Sequence, residues 1–384
     1  MEYNFDEIKS YDPEQVPAAL ARLTEEKAFM NVLGTLFPLM PKEHLKQKLL
    51  SFKTSDEFQA EMVYPFLKYI EANMTTGVEI SGLENIDTSA QYLFISNHRD
   101  IILDSAFLGF KFLESGLKTM EIAIGDNLLI MPWIEDLVRV NKSFIVQRGI
   151  SVRKILESSQ RLSAYMRYAM EERKHSIWIA QREGRAKDSD DRTQQSLLKM
   201  LNMDGRSGNL IDNLRELNIV PVSISYEYDP CDYLKAKEFQ QFRDNPEHVK
   251  SQQDDLLNMQ TGVMGYKGKV HFHLSSSIND KLDGIAAQTS KRNEQIRLIA
   301  ELIDREIHRN YNIKPGNKIA YDRLTGTQKF TDSYSEQDVE KFDNYLDKQT
   351  RKVDLENKDR GYLEQKILGM YANPLINQLA ALDK

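Results

Sequence analysis

The side chains best suited to chemistry in this sequence are His98 and the two aspartates that follow it, Asp100 and Asp104. An imidazole can take a proton from a hydroxyl near neutral pH. A carboxylate beside the imidazole can fix its tautomer and stabilise its protonated form. The sequence therefore predicts a general base at His98. A histidine beside an aspartate can also be purely structural, so the function depends on the residues around the pair.

Two further groups of residues have the chemistry to bind a phosphate. Arg148 follows one apolar run, and Glu183, Gly184, Arg185 and Lys187 follow another. A guanidinium can hold phosphate oxygens through two parallel hydrogen bonds. A glycine lets the backbone approach a ligand closely. Either group could instead be ordinary solvated surface, and the residues alone leave both interpretations open.

Each of these groups comes after a short apolar run that predicts a buried β-strand. The runs lie at residues 92–95, 144–146 and 175–181, and a fourth lies at 218–229. The segment after His98, residues 101–110, has the apolar density of a packed helix. His98 is therefore expected at the carboxyl end of a strand, which is where open α/β sheets bind their ligands.

The rest of the chain divides by pattern into three parts. Residues 1–75 carry apolar stripes at helical spacing and predict a helical N-terminal subdomain. Residues 76–280 alternate between strands and helices and predict an α/β domain. Residues 281–384 predict a helical C-terminal extension packed on that domain, with helices over about 294–310 and 336–379.

Four blocks of this chain, taken in order, resemble the signature blocks of the glycerolipid acyltransferases. The first is Asn97-His98 with Asp104, and the second is the strand that ends in Arg148. The third is Glu183-Gly184-Arg185, and the fourth is a hydrophobic strand with Pro221 near its start. The family includes the enzymes that acylate glycerol-3-phosphate and 1-acyl-sn-glycerol-3-phosphate. The resemblance implies an α/β fold with a mixed central sheet flanked by helices.

The resemblance also implies roles for the residues. His98 would deprotonate the acceptor hydroxyl, and Arg148 with the loop at Glu183, Gly184 and Arg185 would hold the acceptor phosphate. The family commonly has one residue between its glycine and its arginine, so Lys187 is expected to share the anion binding. No metal ligand set is expected, although His271 and His273 lie on one face of a predicted strand.

The carboxylate that orients His98 is left with two candidates. The family block has four residues between its histidine and its aspartate, whereas five residues separate His98 from Asp104 here. An added residue turns a helical side chain by about 100°. Asp100 is nearer in sequence, but on a helix it would point sideways. Asp104 is the favoured partner, because an inserted residue is more easily absorbed in a non-helical turn at Arg99 and Asp100.

The function implied is transfer of a fatty acyl group from acyl-CoA or acyl-carrier protein to a phosphate-bearing glycerolipid, with lysophosphatidate the favoured acceptor. Glycerol-3-phosphate 1-O-acyltransferase and an amino-acid-lipid acyltransferase are the alternatives. No cofactor is expected. A second class also stays open, which is a non-catalytic lipid-binding or scaffold protein built on a decayed acyltransferase fold.

The composition of the chain limits which classes of binding partner and which cellular compartment are expected. A net charge of -7 argues against a nucleic-acid binder, which usually needs a basic surplus. The lone cysteine, Cys231, fits a reducing compartment. The first residues lack the pattern of a secretory signal, and no apolar run reaches the ~20 residues that a membrane span needs. We therefore expect a cytoplasmic protein that touches membranes peripherally, with the basic segment 42–53 as one candidate contact.

Overall fold

The computed structural model describes residues 3–149 and 152–383. A seven-stranded sheet in the strand order β1-β7-β6-β2-β5-β3-β4 forms its centre. The strands are β1 (Val78–Ser81), β2 (Leu93–Ser96), β3 (Glu121–Gly125), β4 (Ser143–Val146), β5 (Ile177–Ala180), β6 (Ile219–Tyr226) and β7 (Val270–Leu274).

Strands β2 to β6 run in one direction, so their carboxyl ends share one edge of the sheet. Strand β7 pairs with β6 in the antiparallel sense, and β1 pairs in parallel with β7. The sheet is therefore mixed, as predicted. Strand β2 lies between β5 and β6, with Ser96 paired to Ala180 on one side and to Val222 on the other. A residue that follows β2 thus lies at the middle of the common edge.

Seventeen α-helices surround this sheet within the described residues. They are α1 (Val16–Glu25), α2 (Lys27–Leu36), α3 (Lys42–Ser51), α4 (Ser55–Phe58), α5 (Tyr64–Met74), α6 (Leu103–Glu114), α7 (Pro132–Val140), α8 (Val152–Glu171), α9 (Gln195–Leu201), α10 (Leu210–Arg215), α11 (Asp232–Asp244), α12 (Gln252–Met264), α13 (Asn279–Gln288), α14 (Arg292–Arg309), α15 (Pro315–Thr325), α16 (Glu336–Lys352) and α17 (Arg360–Leu382).

Helices cover both faces of the sheet, because successive side chains of a strand point to opposite faces. Leu93 and Ile95 of β2 face a core shared with α8, α9, α10, α13 and α14. Phe94 faces a second core, shared with α5 and α6. Both faces of the central strands are apolar for this reason, which matches the continuous apolar runs of the sequence.

Two smaller cores lie beside the sheet. Helices α1, α2 and α3 pack around Leu20 and Leu45 and bury Val140 of α7. Helices α11, α15, α16 and α17 pack around Phe342. The division at residues 1–75, 76–280 and 281–384 stays a prediction. Within the last part, the segment predicted to be helical over 336–379 forms two helices, because the chain leaves the first after Lys352 and enters the second at Arg360.

None of the helices in the described residues combines the length and the apolar character that crossing a membrane requires.

Candidate functional site

His98 follows β2 at the middle of the shared strand edge. The neighbouring Asn97 is completely buried, and its amide bonds both the N–H and the C=O of Ile224 on β6. These two bonds fix the backbone where the histidine leaves the sheet. The imidazole itself stays partly open, with 13% of its side chain exposed. The edge of its ring contacts Trp178 of β5, with the ring centroids 5.7 Å apart.

Asp104 holds the imidazole. Its Oδ2 atom lies 2.8 Å from His98 Nδ1 and accepts backbone N–H bonds from Arg99 at 2.6 Å and Asp100 at 3.0 Å. The carboxyl group is fully buried, so these three donors replace its lost hydration. Helix α6 begins only at Leu103, and the added residue lies in the turn before it. The structure thus brings together His98 and the favoured carboxylate.

Asp100 has a different task. Its Oδ1 accepts the N–H groups of Ile102 at 2.9 Å and Leu103 at 2.7 Å, which caps the start of α6. Burial, and then the charge of Asp104, raise the pKa of the Asp100 carboxyl. Gly262 of α12 packs directly against this carboxylate, and a Cβ at that position would collide with it. Asp100 therefore stabilises the turn between His98 and α6, and its carboxylate forms part of the surface on which α12 packs.

Arg99 points away from the reactive edge. Its Nη2 makes a 2.7 Å ion pair with Asp191, and both side chains are buried. The guanidinium also lies over the ring of Tyr311, 5.7 Å from the centroid. Sequence reasoning missed this pair because Asp191 belongs to a distant loop with no motif. The contacts of Arg99 with Asp191 and Tyr311 connect the turn after His98 to the loop before α9 and to the segment after α14.

Arg148 lies at the same edge, beyond β4. Its backbone N–H donates a hydrogen bond to Asp126 Oδ1 at 3.1 Å. Its side chain packs on Gly125, where a Cβ would come within 2.6 Å of Arg148 Nε. The guanidinium keeps 32% of its side-chain surface exposed and reaches Glu183 at 3.6 Å. The structure therefore brings together Arg148 and the loop after β5, with the cation accessible to a ligand.

The other residues of the loop after β5 do not converge on one site, because their side chains contact different helices. Gly184 has φ +66°, a left-handed conformation that favours glycine. Arg185 turns inward, where Nη2 donates to Asn258 Oδ1 of α12 at 3.0 Å. Its Nη1 is buried with no hydrogen-bond partner among the described residues. Lys187 instead forms an ion pair with Glu238 and lies 5.4 Å from the ring centroid of Phe242, both on α11.

Lys267 is a buried cation that the sequence did not reveal. Its Nζ donates to Val263 O at 3.0 Å and to Gly265 O at 2.6 Å, at the end of α12. Burial lowers its pKa to about 8, while the charge of nearby Asp100 acts in the opposite direction. Carbonyl groups at a helix end favour a cation. Lys267 thus fixes α12 over the His98 turn.

His271 and His273 lie away from this edge, on the strand face beside β1. The Oγ atom of Ser81 lies 3.1 Å from His271 Nε2 and 2.9 Å from His273 Nδ1. Burial lowers the pKa of both imidazoles, to about 4 for His271. Within residues 3–149 and 152–383, no group of three or more His, Cys, Asp or Glu side chains is placed to hold a metal ion.

Comparison with known proteins finds a family match for the middle part of the chain. Residues 77–225 match the family model described as Acyltransferase, a span that contains His98, Asp104, Arg148 and the Glu183 loop. No curated protein matches the chain. Among solved structures, the 1-acyl-sn-glycerophosphate (LPA) acyltransferase PlsC from Thermotoga maritima is 13% identical, covers 77% of this chain and 96% of its own, and has a TM-score of 0.36. Residues 77–225, which make up less than half of the chain, are therefore similar to the acyltransferases that this family model describes.

Proposed function

We propose that this acyltransferase moves a fatty acyl group from an acyl thioester to the hydroxyl of a phosphate-bearing glycerolipid. The hydrogen bond between His98 Nδ1 and Asp104 Oδ2 is the observation that carries the proposal. It uses Nδ1 as the donor and leaves the lone pair of Nε2 free on the open side of the ring. Such an imidazole is oriented for proton abstraction from a bound alcohol.

In the proposed step, His98 Nε2 takes the hydroxyl proton as the acceptor oxygen attacks the thioester carbonyl. The buried Asp104 carboxylate stabilises the imidazolium that forms. When the tetrahedral intermediate collapses, the carbon–sulfur bond breaks and the imidazolium returns its proton to the departing thiolate. The products are the acylated lipid and a free thiol, and the step needs no metal and no cofactor.

The acceptor phosphate is assigned first to Arg148. Its guanidinium is accessible, and the opposing Glu183 is 65% exposed and can move aside. Arg185 is a second candidate through its unpartnered Nη1. Lys187 is a weaker one, because a phosphate would have to compete with Glu238. Lysophosphatidate is the proposed acceptor, ahead of glycerol-3-phosphate and an amino-acid lipid, and acyl-CoA and acyl-carrier protein are the two proposed donors.

A lipid acceptor implies contact with a membrane surface, and we place this contact on the N-terminal helices. Two lysines of α3 are already ion-paired, Lys46 with Glu25 and Lys48 with Glu61, whereas Lys42 bonds only the neutral amide of Asn31 among the described residues. The loop between α2 and α3 offers an apolar group instead, since Leu39 is 98% exposed. A fully exposed leucine beside lysine-bearing helices suits the boundary between lipid head groups and chains.

Incubating the pure protein with radiolabelled acyl-CoA or acyl-carrier protein and a panel of acceptors tests the proposal. We expect a labelled phospholipid with lysophosphatidate, and none with the His98→Ala variant. Glycerol-3-phosphate or an amino-acid lipid as the preferred acceptor would replace the proposed substrate but keep the reaction. No product from any pair, with a folded protein, would instead favour a lipid-binding or scaffold role.

A further inference from the structure

Among the described residues, two buried polar atoms beside His98 have no partner at ordinary hydrogen-bond distance and angle. One is Asp104 Oδ1, the carboxylate oxygen that does not face the imidazole, and the other is the hydroxyl of Tyr226. All three donors to Asp104 converge on its Oδ2. A buried acceptor and a buried donor left without partners each cost free energy, and a bond between them would relieve both.

The fold brings these two groups to the same place. Tyr226 is the last residue of β6, two positions beyond Ile224, to which the Asn97 amide is bonded. Residues two apart on a strand share a face. Tyr226 therefore points to the side of the sheet covered by α6, where it packs against the second core. Asp104 lies in the first turn of that same helix.

The tyrosine hydroxyl is held in its neutral, proton-donating form. Burial raises the pKa of Tyr226 well above its usual value, and the charges of Asp104 and Asp100 add to this effect. Further ionisable groups lie near this cluster: Arg99 in the same turn, Arg185 after β5, Asp229 and Cys231 after β6, and Lys267 after α12.

We propose that the Tyr226 hydroxyl donates a hydrogen bond to Asp104 Oδ1 and is a positioning residue for the His98 general base. The inference rests on the proposed function. With Oδ2 bound to the imidazole and Oδ1 to the tyrosine, the carboxylate is fixed at both oxygens. His98 then keeps the tautomer in which Nε2 is the base.

The Tyr226→Phe variant removes the hydroxyl and keeps the ring that packs on the core. We expect kcat to fall about tenfold, as for loss of one hydrogen bond to a charged group, with little change in either KM. We also expect the acidic limb of the pH–rate profile to move to higher pH. Without the donor, the Asp104 carboxylate becomes more basic and draws the imidazolium proton more strongly.

Tyr228→Phe is the matched control, because that ring packs on Tyr345 of α16, with centroids 4.4 Å apart, and its hydroxyl lies elsewhere. It should keep the wild-type pH profile. Adding Tyr226→Phe to Asp104→Asn should lower kcat little further, since the carboxylate that the hydroxyl serves is already gone. A full additional tenfold loss in that background would overturn the proposal.

NMR titration of His98 separates this inference from the proposed function, because it needs no turnover. Tyr226→Phe should raise the pKa of the His98 imidazole, with its signal assigned among the seven histidines by comparison with His98→Ala. An inactive wild-type protein that shows this shift would refute the proposed reaction and keep the hydrogen bond. An unchanged His98 titration in a folded variant would overturn the hydrogen bond, whatever the activity.

Discussion

At the scale of single residues, two carboxylates in the turn after β2 make different contacts. Asp104 contacts the imidazole of His98, and Asp100 contacts the start of α6. His98→Ala and Asp104→Asn should each lower kcat by about 10²- to 10⁴-fold, the contribution usual for a general base. Asp100→Asn should be much milder, because an asparagine oxygen still caps α6. Steady-state kinetics beside thermal unfolding of each variant provide the test. If Asp100→Asn were the more damaging change in a normally stable protein, the assignment would be reversed.

The double variant of His98→Ala and Asp104→Asn checks whether the two residues act as one unit. An orienting group has nothing to orient once the imidazole is gone, so kcat should be close to that of His98→Ala alone. Multiplicative losses in the double variant would instead mean that Asp104 contributes through something other than His98, such as the structure of the turn.

Arg148→Ala addresses the acceptor. We expect a rise in KM for the phosphate-bearing alcohol and little change in KM for the acyl thioester, because the guanidinium is assigned to the acceptor phosphate. Arg297→Ala is a suitable control, since Arg297 pairs with its helix neighbours Glu294 and Glu301 on α14. Equal effects on both substrates would remove Arg148 from the acceptor site.

The local part of this site could be predicted from the sequence, and the distant part could not. The sequence narrowed the partner of His98 to two nearby carboxylates, Asp100 and Asp104, and favoured Asp104. By contrast, the partners of Arg185 and Lys187 are Asn258 and Glu238, on helices far along the chain. Nothing in the loop itself indicates that its two cations turn towards different helices.

At the scale of elements, the close packing of α12 on the turn after His98 depends on the absence of a side chain at Gly262. A Cβ at Gly262 would collide with the Asp100 carboxylate, so Gly262→Ala must displace either the helix or the cap of α6. We expect a loss of about 1–3 kcal/mol in unfolding free energy, together with lower activity. Gly284→Ala on α13 is the control, because a Cβ there meets nothing and should be neutral or slightly stabilising.

The packing of α11 on α16 and α17 should depend on pH. Asp232 is fully buried and accepts hydrogen bonds from Tyr345 at 2.7 Å and Tyr371 at 3.0 Å. Burial, and then the charge of Asp229, raise its pKa to about 7. The folded pKa lies above the unfolded value of about 3.9, so the stabilisation from this group is complete at low pH and is lost as pH rises towards 7.

Chemical denaturation of the wild type and of Asp232→Asn at a series of pH values measures this effect. The amide does not titrate, so the variant should gain stability relative to the wild type as pH rises from about 5 to about 7, by at most about 1.4 kcal/mol per pH unit. Above that range the difference should level off. If the difference in unfolding free energy between the two proteins did not change with pH, the pH dependence of the wild type would come from groups other than Asp232.

At the scale of the whole molecule, the proposed membrane contact can be tested on one side chain. We expect salt-sensitive, reversible binding to vesicles that contain anionic lipids, because the proposed contact is a surface leucine beside lysine-bearing helices and screening weakens such attraction. Leu39→Asp should weaken it, while Leu324→Asp on α15, 38% exposed, should not. Co-sedimentation gives the readout. Equal binding by both variants would move the contact to another surface.

The architecture itself could be predicted only in part. Apolar runs indicated the strands on both sides of His98, and the resemblance implied a mixed sheet. The neighbours of a strand are set by pairing across long stretches of chain, which local patterns do not encode. The reversal of β7 against β6 and the pairing of β1 with β7 became visible only in the folded chain.

That last pairing has a consequence during synthesis. Ser81 on β1 and His271 on β7 are hydrogen-bonded but lie 190 residues apart in the chain. At the usual elongation rate of about 5–20 residues per second, β1 emerges from the ribosome roughly 10–40 s before its partner exists. Strands β2 to β6 can already assemble in that interval, with the outer edge of β6 uncovered. The nascent domain therefore passes through a stage in which one unpaired strand, β1, and one open sheet edge, on β6, are exposed to chaperones and to other chains.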